Sequence, residues 1–331
     1  MLTIPAAILT GLALALPVEP PADVRLDARE QRAVLEAIVD ALDARYFQPG
    51  AEEPYLARLE ELARAAGPEV EADAFALTVH RALQAVQRDG HLGVYGPERA
   101  RRLLGSEHHT GEPDHAADGI ESDHGDADGQ GAAWFEHHSL PGAVDLFTLP
   151  EFPGNADAAE QLIAALATVP ADSALIFDLR GNMGGEAALF RHLSGCLFDS
   201  RQPLFAVRWR EGETFRLAVS ETVPDARCVH LADTPMAVLV DGRTGSVGEL
   251  MPFILQARSR AVIVGTPTYG ASHAAELEAL PHGFALMVPV GATHDPLTGA
   301  DWEGSGVSPD ILTDPDAAVT TALNVLSAMR L

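Results

Sequence analysis

SALIFDLRGNMGGEAALFRHLSGCLF, residues 173–198, runs from an unbroken apolar stretch through a glycine-rich turn into a segment with apolar residues three and four apart. The first part predicts a strand buried on both faces, and the last part predicts a helix. Strand, tight turn and helix in that order form the unit of a parallel sheet covered on both sides. The same alternation extends outward in both directions. AVDLFTL (143–149) precedes the helical NADAAEQLIAALATVP (155–170). MAVLV (236–240) precedes the helical-looking LMPFILQ (250–256), and the strands AVIVG (261–265) and FALMVPVGA (284–292) follow. DAAVTTALNVLSAMRL (316–331) predicts a closing helix, and LFAVRWREGETFRLAVS (204–220) a hairpin around Glu211-Gly212. Upstream, LDAREQRAVLEAIVDALDARYF (26–47), YLARLEELARAAG (55–67) and FALTVHRALQAVQ (75–87) read as a helical bundle, with Asp73 as the cap of the third helix. The bundle closes with RDGHLGVY (88–95), a turn into a short strand.

Composition narrows the function. The 331 residues carry a formal charge of −26, and all 22 basic residues are arginine. So acidic a chain is a poor ligand for phosphate backbones and anionic membranes, which excludes nucleic acid as a partner and argues against stable membrane association. The two cysteines, Cys196 and Cys228, lack the spacing of a zinc knuckle or redox motif, and two free buried thiols are expected. The apolar opening, MLTIPAAILTGLALALP, is too short to span a bilayer comfortably. It resembles the core of a signal peptide, with Ala13-Leu14-Ala15 as a cleavage site, although the basic n-region is missing. Export to an extracytoplasmic compartment is the expectation. Residues 105–138 hold six of the thirteen histidines among many carboxylates. Their spacing matches no defined metal site, so a solvated insertion is expected, with no metal and no cofactor.

Four stretches hold candidate chemistry. In DGRTGSVGEL (241–250), Ser246 and Glu249 fit a helix-capping box. The same place, beside free N–H groups at a helix start, suits a nucleophile whose attack creates an oxyanion. TGSVG is one residue away from the G-x-S-x-G elbow, which keeps an α/β-hydrolase open as a rival. In LIFDLRGNMGG (175–185), Gly184 and Gly185 allow close backbone approach to a ligand, while Asp178 and Arg180 can pair with each other. DGHLGV (89–94) and WEGSGVSPDI (302–311), taken singly, are turns.

In this order the four blocks resemble the serine peptidase family that includes C-terminal processing (tail-specific) proteases, the tricorn core protease and interphotoreceptor retinoid-binding protein. The resemblance runs from about Leu26 to the C-terminus, with a gap across the histidine-rich segment, and is closest to the retinoid-binding-protein-like branch without a PDZ domain. It implies an α/β fold in which an N-terminal helical bundle is followed by a ClpP/crotonase-like β/α spiral. The implied division is an apolar segment and linker (1–25), a helical domain (26–100), a loop (101–138) and a peptidase domain (139–331). Ser246 matches the nucleophile; the N–H of Val247 with that of Gly184 or Gly185 matches the oxyanion hole. Processing proteases use a lysine after the threonine-aromatic-glycine turn, here Thr268-Tyr269-Gly270, but this chain has Ala271 there and no lysine anywhere. The tricorn-like branch uses a histidine and a glutamate instead, and His91 and Glu303 stand where that scheme needs them. A neutral imidazole can accept the serine proton near pH 7, and a carboxylate on its other nitrogen fixes the tautomer. His273 is a second candidate base. The resemblance thus implies hydrolysis of extended or unfolded polypeptides. Its alternative is a non-catalytic member of the same fold that binds a hydrophobic ligand or peptide.

Overall fold

The computed structural model describes residues 24–105 and 133–330. The apolar opening segment and most of the histidine-rich stretch, with the expectations attached to them, lie outside the described residues.

The N-terminal part contains β1 (Arg25–Leu26), α1 (Ala28–Arg45), α2 (Glu53–Ala65), β2 (Val70–Glu71), α3 (Ala72–Val86), β3 (Gly93–Tyr95) and α4 (Pro97–Gly105). Asp27 starts α1 with a full capping box: its carboxylate accepts from the amides of Arg29 and Glu30, and Glu30 accepts from the amide of Asp27. Asp73 does not cap α3 as expected. Glu71, held extended by β2, accepts from the amides of Asp73 and Ala74 and leaves Asp73 in the first turn. Val34, Leu35, Ile38 and Leu42 of α1 pack with Tyr55, Leu59, Phe75 and Val79. The same core includes Leu286, Val288 and Val290, so the helices are sealed by a strand of the following unit.

That unit begins with β4 (Glu136–Leu140), β5 (Val144–Thr148), α5 (Ala156–Leu166), β6 (Ala174–Asp178) and α6 (Ala187–Leu197). It continues with β7 (Gln202–Glu211), β8 (Thr214–Thr222), β9 (Met236–Val240), α7 (Val247–Ala257) and β10 (Val262–Gly265). Last come β11 (His273–Ala279), β12 (Ala285–His294), β13 (Ile311–Leu312) and α8 (Ala318–Met329). The histidine-rich stretch therefore ends earlier than its composition suggests. β4 pairs antiparallel with β5, and His137 bonds Asp145 at 2.8 Å while stacking on Phe147.

Six strands form one sheet in the order β13-β10-β9-β6-β5-β4, parallel except for β4. Successive side chains of a strand point to opposite faces. Leu175 and Phe177 of β6 thus join α5, α6 and α7 on one side, while Ala174 and Ile176 join Ala318, Ala322 and Leu326 of α8 on the other. This explains the uninterrupted apolar run of β6. The second sheet runs β11-β12-β7-β8, with β3 also pairing β12 and thereby tying the helical part to it.

The cysteines are not free. Cys196 on α6 and Cys228, whose Cα atoms lie 4.8 Å apart, form a disulfide across 32 residues of sequence. Sequence spacing does not reveal such a pair, because the approach is made by folding. Among the described residues, no helix is long and apolar enough to cross a membrane.

Candidate active site

Two strand ends build the floor of the site. After β6, Asp178 and Arg180 pair as expected, with Arg180 Nε 2.8 Å from Asp178 Oδ1. The chain then turns through Gly181–Gly185. Asn182, fully buried, donates through Nδ2 to the Leu149 carbonyl, accepts the Gly184 amide on Oδ1, and accepts the Gly245 amide on its own carbonyl. It pins the glycine turn to the loop after β9. Gly184 is required twice over. Its φ is +107°, and a Cβ there would stand 2.7 Å from the Ser246 Cβ.

Ser246 follows β9 at the start of α7 with φ 53° and ψ −123°. A non-glycine residue in that region stores of order 1–3 kcal/mol and persists only where its surroundings hold it. The buried Glu249 does the holding. It accepts the Ser246 amide at 3.0 Å, the Gly270 amide at 2.7 Å, the Ala271 amide at 2.9 Å, and the Thr268 hydroxyl. Burial pushes its carboxyl upward against those four donors. The expected Ser246 and Glu249 capping box is present, and the Ser246 hydroxyl lies 3.0 Å from His91 Nε2.

His91 comes from the turn between α3 and β3. Gln84 clasps that turn by donating to the carbonyls of Asp89 and Leu92. Gly90 permits a close approach, since a Cβ on it would lie 2.5 Å from that of Ala271. Burial holds the His91 imidazole below its ordinary value, while Glu303 and Asp89 pull the other way. It is neutral at pH 7 and can accept a proton.

Among the described residues, Glu303 makes no hydrogen bond to the His91 ring. Its Oε1 accepts the Gly90 amide at 3.1 Å, and its Oε2 accepts the Ser272 amide at 2.6 Å. His91 Nδ1 is buried with no hydrogen-bond partner among the described residues. The second candidate base, His273, is not beside Ser246. Its Nδ1 lies 3.1 Å from Asp89 Oδ2, and its ring packs on Phe47. Of the candidate oxyanion donors, the Gly184 amide is spent on Asn182 Oδ1, whereas the amides of Val247 and Gly185 have no acceptor among the described residues.

Asp89, Tyr46, Gln84 and Asn182 were not singled out in the sequence. Asp89 carried a weak signal: an aspartate two residues before His91 in a glycine turn favours an Asx turn, and its Oδ1 accepts the His91 amide at 3.0 Å. One ligand atom each from Asp89, His273 and Glu303 lie within 4.8 Å of one another. Both carboxylates already accept from N–H and O–H donors, so the cluster forms a hydrogen-bonded network.

A family model, peptidase family S41, matches residues 144–313. The chain belongs to peptidase family S41. It is 28% identical over 175 residues to carboxyl-terminal-processing peptidase 1, chloroplastic, of Arabidopsis thaliana, covering 52% of this chain and 34% of that protein. It is 29% identical over 188 residues to the nisin-resistance protein of Lactococcus lactis subsp. lactis, covering 53% of this chain and 58% of that one. The chain thus spans a third to three fifths of the lengths of these relatives. The solved photosystem II D1 C-terminal processing protease matches with a TM-score of 0.57 at 17% identity, over 89% of this chain and 97% of that one. That likeness concerns the fold, which is the mixed α/β architecture expected from the sequence.

Proposed function

We propose that this chain is a serine peptidase in which Ser246 is the nucleophile and His91 the base. The observation that carries the reading is the 3.0 Å approach of His91 Nε2 to Ser246 Oγ, made across 155 residues of sequence. The hydroxyl proton passes to Nε2 as Oγ bonds the substrate carbonyl carbon. The amides of Val247 and Gly185 receive the oxyanion. The imidazolium returns its proton to the leaving nitrogen as the C–N bond breaks, and water then releases the acyl group by the same route. Glu303 acts through its charge, favouring the imidazolium without a hydrogen bond to it. The helical part (26–100) delivers the base and the α/β part (139–331) the nucleophile.

Extended or unfolded polypeptide is the substrate class. Ser246 opens beside two exposed apolar side chains, Met183 at 61% and Tyr269 at 37%, each near Gly245. These can pack on the side chains of an extended peptide, and relatives of this chain are named as processing peptidases. The Cys196–Cys228 bond supports an extracytoplasmic site of action, since disulfides persist in oxidising compartments.

The test is fluorophosphonate labelling with mass-spectrometric mapping, run beside cleavage of an unfolded protein. The adduct is expected on Ser246, absent in Ser246→Ala and at least a hundredfold slower in His91→Ala. Folded protein that binds unfolded chains without labelling or cleavage would replace the peptidase with the non-catalytic binder.

A further inference from the structure

Among the described residues, His91 Nδ1 has no hydrogen-bond partner, so something other than a direct carboxylate holds its ring against Ser246. The structure assigns that task to His273: we propose that it is a positioning residue which, as an imidazolium between Asp89 and Glu303, locks the His91 turn onto the nucleophile. The inference rests on His91 being the base.

The connections form a closed path. Asp89 is buried and uses its two oxygens differently. Oδ1 accepts the His91 amide at 3.0 Å, while Oδ2 receives the Tyr46 hydroxyl at 3.0 Å and His273 Nδ1 at 3.1 Å. Glu303 Oε2 lies 3.6 Å from the same Nδ1 and accepts the Ser272 amide, while Oε1 accepts the Gly90 amide. The residues on both sides of Gly90 are therefore tied, through carboxylates, to the strand that carries His273. Three chain segments far apart in sequence meet on one imidazole.

A neutral His273 would serve this path poorly. Asp89 Oδ2 and Glu303 Oε2 converge on the same nitrogen, Nδ1, of a buried ring; two carboxylates so placed repel, and one positive charge beside them offsets that repulsion. Burial alone would push His273 down; the bond to Asp89, and the charges of Asp89, Glu303 and Asp301, outweigh it and hold the imidazole above its ordinary value. The other groups facing it are the phenol of Tyr46, pushed up by burial and by Asp89, and the imidazole of His91, held down by burial. Two histidines in one site are thus driven apart, one neutral for proton transfer and one charged for placement.

His91 gains its base form as pH rises through a value below 6.5, which sets the acid limb. The clamp is complete below 6.5 and is lost as pH rises through the raised value of His273, which sets an alkaline limb.

The experiment measures the rate of fluorophosphonate labelling of Ser246 against pH in wild type and His273→Gln, alongside an NMR titration of the imidazoles in the wild-type chain. The expected result is a bell for wild type. His273→Gln is expected to label roughly tenfold to a hundredfold slower at pH 6.5, as for a base displaced by about 1 Å, with the alkaline limb gone and the acid limb kept. An alkaline limb unchanged in His273→Gln overturns the proposal, as does a His273 titration midpoint below 6.5. The NMR midpoint decides even if the variant does not fold. A folded wild-type chain that never labels would instead defeat the peptidase reading.

Discussion

Gly90→Ala tests whether the approach of the two loops sets the distance between His91 and Ser246, the proposed base and nucleophile. Gly90 has an ordinary backbone conformation, so the substitution adds only volume. The new Cβ would lie 2.5 Å from Ala271 Cβ, 3.0 Å from Ala271 Cα and 3.2 Å from Tyr269 Cε1. Carbon atoms prefer about 3.5–4.0 Å, so the turn carrying His91 must retreat by about 1 Å. His91 Nε2, now 3.0 Å from Ser246 Oγ, would then stand beyond hydrogen-bond reach. A displacement of about 1 Å costs about a hundredfold in rate, and overpacking lowers stability by about 1–3 kcal/mol. The assay is the second-order rate of fluorophosphonate labelling, with thermal melts of the same samples. Adding Ala271→Gly removes the opposing methyl and is expected to restore part of the rate, roughly tenfold, as coupled neighbours do. Wild-type labelling by Gly90→Ala, or no recovery in a folded double variant, would refute the reasoning. The same contact rationalises Ala271: the His91 turn fills the space that a lysine at that position would need.

Two further outcomes concern stability. Closing a loop of 32 residues, the Cys196–Cys228 bond is worth about 3–4 kcal/mol, so the double serine variant is expected to melt roughly 5 °C lower; thiols that titrate in the native, unreduced protein would contradict the pairing. Arg258 grips the buried Asp295 through two bonds of 2.7 and 2.9 Å, and this hydrogen bonding, with the Leu297 amide and the Thr298 hydroxyl, holds that carboxyl down at about 2 against burial. Arg258→Ala strands the carboxylate and is expected to cost about 3–5 kcal/mol by denaturant unfolding at neutral pH. The pair's contribution is present above pH 3.8 and fades as pH falls towards 2, so the stability gap between wild type and variant should narrow in acid.

The elements were readable because each advertises itself locally. β6 is apolar without interruption because both its faces are covered, and α1 announces its start by the Asp27 and Glu30 pair. Local signals misled where two of them competed. Asp73 looked like a cap, but β2 puts Glu71 in the extended conformation at the boundary. The histidines at 137 and 138 looked like part of a polar insertion, but pairing with β5 makes them a strand.

For the site, the sequence alone determined the residue types, their order and what was missing. It holds a serine at a helix start, a glycine turn after a buried strand, a histidine after the helical bundle and no lysine anywhere, and the family resemblance then implies a histidine as the proposed base. Only the tertiary structure decided which histidine faces Ser246, that Glu303 grips backbone amides and not the ring, and that Cys196 meets Cys228. The physical reason is range. Capping, turn formation and strand burial depend on neighbours a few residues apart, whereas His91 meets Ser246 only after two separate cores have closed over β12 and the glycine turn.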